Sequence, residues 1–360
     1  MKICFISGLY PYSKGGAEYQ AKILSDCLGK VHDIIFISSV PGSREAVLFT
    51  DGKKIYNRAL GFTQKLLFYF PFSLWIRSIF LKEAPDLIYH RVIMPYTLFA
   101  IKYAERLNIP FILHIASERS IVFDSSLKAR LKRYLVHRIL ESNAHIIVQT
   151  EQQQNILASF SSRETTVLPN LLDNNYSVKQ DTLGDSVLWI GKSIKLKGLE
   201  IFMDMAEKMP HMQFVVICRF LNDNYSRRLK SKLESVKNIV NLGEQDNDFI
   251  NMFLATKSYL LVNTSSSEGF SSTFIQAWMV GVPVLSLNSN PSGIFDHYEM
   301  GVYCNGDEDK LLDALNDFVG NDQYYIRVSE ICRQVAFEKY SVEAISTNYQ
   351  EYFEAKVKLA

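Results

Sequence analysis

The chain of 360 residues is predicted to be an α/β protein of two domains. Three observations predict it. The length suits about two domains of ordinary size, and a hydrophobic content of 48% can fill two cores and argues against disorder. Short apolar runs recur along the whole chain, separated by stretches with helical apolar spacing. Residues 263–287, NTSSSEGFSSTFIQAWMVGVPVLSL, show one such unit in compressed form. A polar loop follows the apolar run Ser258 to Val262, Glu268-Gly269-Phe270 precedes a helix-like stretch, and Gly281 breaks it before the strand-like Val282–Leu287. Ligands of such layers sit at the carboxyl ends of the strands, where helix N-terminal N–H groups can hold an anion. Ser271, Ser272 and Thr273 are cap-type residues at that helix start, suited to capping and to phosphate contact. Glu268 and Gln276 lie eight apart, too far to touch along one helix, yet able to approach one ligand from loop and helix.

Net charge is +1, but the halves differ: residues 1–172 carry 21 Lys/Arg against 13 Asp/Glu, and the remainder 18 against 25. A basic first half suggests an anionic surface as its partner. The five cysteines are scattered, without a C-x-x-C pair, which fits reduced thiols rather than a disulfide frame or zinc site. Met1–Gly8 holds an apolar run too short for a signal peptide and reads as a first buried strand. No apolar run is long enough for a transmembrane helix. A cytoplasmic protein is expected.

In order, Lys2–Ser7 is the first strand, and the loop Gly8–Gly16 leads to a helix from Ala17 to Gly29. The Gly15-Gly16 pair lets backbone N–H groups approach a phosphate closely, although the dinucleotide fingerprint G-x-G-x-x-G is absent. His32–Ser38 is the second strand. Residues 62–82, FTQKLLFYFPFSLWIRSIFLK, are the most aromatic and apolar stretch, interrupted by Lys65, Pro71, Arg77 and Lys82. They read either as buried helices or as an interfacial segment with Trp75 inserted. Residues 125–138 add Lys128, Arg130, Lys132, Arg133 and Arg138 in a helical pattern that supports peripheral membrane contact.

Pro85–Arg91, Pro110–Ile115, Ala144–Gln149 and Thr165–Leu168 are further strands, with His114 near the carboxyl end of the second and His90 read as structural. The polar stretch Asp173 to Asp185 is the expected linker. The domains are therefore residues 1–172 and 173–341. A new α/β series starts at Val187–Gly191, followed by Lys192 and by Lys197-Gly198 at the next helix. Phe214–Cys218, Ile239–Leu242 and Tyr259–Val262 are later strands. Asp246-Asn247-Asp248 and Asp307-Glu308-Asp309 each open a helix, so N-capping explains them better than metal binding.

These landmarks together resemble the retaining family-4 glycosyltransferases of the GT-B fold. Glu268-Gly269-Phe270, the position eight further on, and Gly281-Val282-Pro283-Val284 match the family signature, with Gln276 where the family usually has Glu. Pro11 and Gly15-Gly16 resemble its first loop, Val167-Leu168-Pro169-Asn170 the close of its first domain, and Lys192…Lys197-Gly198 its G-R…K-G segment, with Lys in place of Arg. The resemblance implies two Rossmann-like domains facing a cleft, with the last helix, residues 342–360, crossing back to the first domain. It implies a nucleotide diphosphate sugar as donor and a glycan or lipid-linked hydroxyl as acceptor. By the same resemblance Lys192, Lys197, Gly15, Gly16 and the helix start Ser271–Thr273 hold the diphosphate, and no metal or other cofactor is required. His114 and Glu268 then contact the sugar, Gly269 and Phe270 lie against the donor, Gln276 lies by the ribose, and Gly243-Glu244-Gln245 borders the base. No nucleic-acid partner is expected. Two alternatives share the fold: a nucleotide-sugar epimerase, and a binding subunit without catalysis, the latter motivated by Gln276 and Lys192.

Overall fold

The computed structural model describes residues 1–8, 10–12, 15–39, 46–59, 69–123, 126–172 and 184–359. The expected linker therefore lies almost wholly outside the described residues. The chain divides into two compact units, Met1–Leu171 with Val342–Ala360, and Leu172–Ser341. Each is an α/β layer built on one sheet.

The first sheet has the order β3-β4-β2-β1-β5-β6-β7-β8. Its strands are β1 (Lys2–Ile6), β2 (Asp33–Ser38), β3 (Ala46–Thr50), β4 (Lys53–Asn57), β5 (Leu87–Arg91), β6 (Phe111–Ile115), β7 (His145–Val148) and β8 (Thr165–Val167). Every pairing is parallel except β3 with β4. Parallel strands carry helices on both faces, so β5 and β6 are buried along their full length. The β3–β4 hairpin was not anticipated. Its turn is Asp51-Gly52, both at positive φ (50° and 72°), a two-residue loop whose residue types favour that conformation.

Within the aromatic stretch, residues 62–68 lie outside the described residues. The remainder forms the helix Phe70–Glu83, which buries Phe72, Ile76, Ile79 and Phe80 in the core and leaves Phe70, Leu74 and Leu81 exposed. The helix Leu127–Leu140 is anchored through Val136, Ile139 and Leu140 and presents Leu131 (64% exposed) and Tyr134 (63%) beside exposed Arg130, Arg133 and Arg138. Among the described residues no helix is long and apolar enough to cross a membrane. The last helix, Val342–Lys358, packs against the helix Gly16–Leu28 and buries Ile345, Tyr349 and Phe353. Tyr349 donates its hydroxyl to the carbonyls of Leu168 (3.3 Å) and Pro169 (3.0 Å), which ties this helix to the segment after β8.

The second sheet is all parallel, in the order β11-β10-β9-β12-β13-β14. The strands are β9 (Ser186–Lys192), β10 (Gln213–Arg219), β11 (Ile239–Gly243), β12 (Ser258–Asn263), β13 (Val284–Ser286) and β14 (Gly301–Tyr303). From β9 the chain steps outward to β10 and β11, then returns to pair β12 with the other edge of β9. The strand order therefore reverses between β9 and β12. In open α/β sheets such a reversal, at the carboxyl ends of the strands, is where ligands bind.

Candidate active site

The loops after β9 and β12 meet at that reversal point. After β9 come Lys192, which is exposed, a short 3₁₀ turn at Lys195–Lys197, and Gly198 at φ +61°. After β12 come Thr264, Ser265 and the loop carrying Glu268. The Lys197 ammonium donates to Glu268 Oε1, which also accepts from Ser265 Oγ at 2.7 Å and from Asn263 Nδ2 at 3.5 Å. The two side chains are 21% and 14% exposed. This partial burial strengthens their attraction beyond that of a surface pair, while leaving both within reach of a ligand. The backbone N–H of Ser266 donates to the carbonyl of Leu196 at 2.8 Å, so the two loops are also joined through their main chains.

The helix Ser272–Met279 follows this loop. Its capping differs from expectation: the Ser271 side chain makes no capping bond and instead meets Thr273 Oγ1 at 2.8 Å. Phe270 also differs from a ligand-facing role. It is buried, edge-on to Trp278 (6.4 Å between centroids) and Tyr340 (5.0 Å), and anchors the loop to the core. Gln276 is buried too. Its amide nitrogen donates to Asn251 Oδ1 at 2.8 Å and, more weakly, to Asn247 Oδ1 at 3.4 Å, both from the helix Asn247–Thr256. Asp246 accepts from Phe249 N at 2.8 Å and Asp307 from Lys310 N at 3.0 Å, so both acidic clusters supply helix caps.

In the first unit, Gly15 occupies the N-cap position of the helix Gly16–Leu28 in extended conformation. A Cβ there would sit 2.3 Å from Glu18 Oε2, so the glycine lets an acidic side chain fold back over the helix start. His114 is the penultimate residue of β6 and has no exposed surface. Its Nδ1 is 2.7 Å from the Tyr89 hydroxyl and 3.2 Å from an Arg91 nitrogen, and its ring lies against Tyr349. Its Nε2 is buried without a protein partner. Burial, and then the Arg91 charge, holds its pKa well below the ordinary histidine value, so the ring is neutral. The structure places this side chain, expected to contact the sugar, against the last helix and on a strand covered on both sides. Arg91, itself buried, donates to Asn170 Oδ1 at 2.5 Å and binds this segment into the same network.

Ser265, Asn251 and Arg91 are site or network residues that the sequence reading does not single out, whereas Asn170 belongs to the Val167–Asn170 landmark. Ser265 carried a signal, a hydroxyl three residues before Glu268 in a polar loop. Asn251 and Arg91 become recognisable only through their spatial partners.

Two Rossmann-like units, each built on a mainly parallel sheet, are the architecture of GT-B proteins. Residues 14–176 match the family model described as Glycosyltransferase Family 4, and residues 184–321 that of Glycosyl transferases group 1. The chain belongs to this family. The 2-deoxystreptamine N-acetyl-D-glucosaminyltransferase of Niallia circulans is 23% identical to it, with 72% of each chain covered. In structure it is similar to Anabaena HepE, solved with UDP and glucose, at a TM-score of 0.78 and 16% identity over 98% of this chain and 99% of that one. A mutant of S. aureus TarM, solved with UDP, fondaparinux and α-GlcNAc-glycerol, aligns at a TM-score of 0.76 and 14% identity over 98% and 99%.

Proposed function

We propose that this glycosyltransferase moves a sugar from a nucleoside diphosphate sugar to a hydroxyl of a glycan or lipid-linked acceptor, with retention of anomeric configuration. The observation that carries the reading is the Lys197–Glu268 pair at the sheet's reversal point. Transfer requires that a leaving diphosphate be stabilised while positive charge develops at the anomeric carbon. Lys197, the exposed Lys192 and the N-terminus of the helix Ser272–Met279 offer positive potential to the first. The Glu268 carboxylate offers hydrogen-bond acceptance to sugar hydroxyls and negative potential to the second.

Gly269 lets the loop turn beside the donor. Ser271, Ser272 and Thr273 supply hydroxyls and amides to the phosphates, and Gly15 and Gly16 offer backbone amides to an anion at the start of the helix Gly16–Leu28. Gln276, with its nitrogen held by Asn251, keeps its carbonyl oxygen as an acceptor for a ribose hydroxyl. His114 takes part through Tyr89 and Arg91, because direct contact requires its ring to be uncovered. Charge supplied by lysines and amides makes the proposed reaction metal-independent, which activity retained after EDTA treatment would support. The exposed basic face around Leu131 and Tyr134 supports a cytoplasmic enzyme that docks on an anionic membrane, in surface polysaccharide or glycolipid synthesis.

The test is incubation with a panel of nucleoside diphosphate sugars and a crude lipid and glycan acceptor extract. Nucleoside diphosphate release coupled to a new glycoside of unchanged anomeric configuration by NMR is expected. Epimer formation without acceptor would replace this reading with the epimerase one. Tight nucleotide binding without transfer would replace it with the silent subunit.

A further inference from the structure

We infer that Trp189 and Thr264 are positioning residues that hold Lys197 in register with Glu268, an inference that rests on the donor-binding reading above. Trp189 lies in β9 and Thr264 directly after β12, and both side chains are buried. The indole N–H of Trp189 donates to Thr264 Oγ1 at 3.0 Å, and the same hydroxyl donates to the carbonyl oxygen of Lys197 at 2.8 Å. An indole nitrogen can only donate, so the direction of the relay is set: the threonine proton must point at Lys197.

The contact is close on every side. A Cβ on Gly198 would meet the Thr264 carbonyl oxygen at 2.5 Å, and a Cβ on Gly191 would meet the Trp189 ring at 2.6 Å. One indole therefore lies under the residue before Lys192 and reaches, through a single hydroxyl, the main chain of Lys197. From the next residue, Ser265 Oγ bonds the Glu268 oxygen that receives the Lys197 ammonium. Lys197 is thus gripped at its carbonyl and at its ammonium by the same short segment, 264–268. Such a closed circuit removes the freedom a lysine side chain otherwise keeps and presets its charge for an anion.

Thr264→Val keeps the shape but removes the hydroxyl, leaving the Trp189 N–H and Lys197 carbonyl without partners. Trp189→Phe removes the donor together with part of the buried ring, and the cost of that cavity is read in the melts. Thr264→Ser restores the hydroxyl. Calorimetric titration of the full chain with UDP, beside thermal melts, reads the effect. Thr264→Val and Trp189→Phe are each expected to bind UDP about tenfold more weakly, a loss of about 1.4 kcal/mol. Thr264→Ser should stay within roughly twofold of wild type, and the double variant should lose little beyond Thr264→Val alone because both cut one relay.

A purely structural role would lower the melting temperature while leaving the folded protein's UDP affinity unchanged. That result, or Thr264→Ser weakening binding as much as Thr264→Val, overturns the inference. Should Thr264→Val not fold, Trp189→Phe decides by the same criterion. Wild type that binds neither UDP nor any other nucleoside diphosphate removes the donor reading itself. Wild-type binding with unaltered variants removes only the positioning role.

Discussion

Lys197 and Glu268 are 71 positions apart in the sequence and share a hydrogen bond in the fold. The carboxylate directs the ammonium and also offsets part of its charge, so in the proposed reaction the two should contribute differently to binding and turnover. Glu268→Gln preserves shape and removes charge. It should leave donor affinity nearly intact and lower kcat by about 10²- to 10³-fold, the scale of a lost transition-state electrostatic contact. Lys197→Ala should instead weaken donor binding by roughly tenfold or more. Steady-state nucleoside diphosphate release measures both, and wild-type kcat in Glu268→Gln would remove the carboxylate from the chemistry.

Gln276 and Asn251 make the second testable contact. Gln276→Ala removes a buried hydrogen bond between two helices and should cost about 1–3 kcal/mol of stability. Gln276→Glu can keep a bond to Asn251 after an amide flip, since Asn251 Nδ2 has no other partner. It should therefore melt close to wild type and change nucleotide affinity. Unaltered nucleotide affinity in both variants would place Gln276 outside the donor site.

Acid should destabilise the first unit. His90 is buried, with its nitrogens 2.8 Å from the Ile6 carbonyl and from Thr97 Oγ1, and burial lowers its pKa to about 4. His114 is likewise held well below the ordinary histidine value by burial and then by the Arg91 charge. A histidine with a depressed folded pKa contributes its stability above the unfolded value near 6.5 and loses it as pH falls toward the folded value. His90 alone accounts for about 3 kcal/mol by pH 4. Melting temperature should hold above pH 6.5 and fall steadily from about there to pH 4.5. His90→Asn should show a shallower fall, and an equal slope in the variant would contradict the assignment.

The proposed membrane docking predicts a lipid preference. Wild type should float with vesicles containing phosphatidylglycerol and not with pure phosphatidylcholine. Arg130→Glu with Arg133→Glu should weaken that binding by tenfold or more, on the scale of about 1 kcal/mol for each basic residue near the surface. Leu131→Asp should weaken it without changing the melting temperature. Vesicle binding unaffected by either would assign this helix face to solvent alone.

Several features were legible because they depend on local chemistry. The apolar runs within β1 and β12 announce strands covered on both faces. Asp246 and Asp307 cap helices as their positions before polar-to-apolar transitions suggested. Gly281, at φ +81°, ends its helix as a glycine does. The Asp51-Gly52 hairpin carried an equally local signal that went unread.

Other features had no local signal. A strand buried on both faces has no polar side in its pattern, so nothing near His114 says that its ring turns toward Tyr349 and away from solvent. Phe270 belongs to the recognised motif, yet whether an aromatic ring meets a ligand or Tyr340 depends on a helix 70 residues onward. The sequence alone determined the α/β class, the family and the presence of Glu268 and Lys197. Only the tertiary structure decided that they touch, and that Trp189 and Thr264 stand behind them. Periodicity reports which face of an element is apolar, whereas a contact across the reversal of a sheet depends on strand order, which no single stretch of chain encodes.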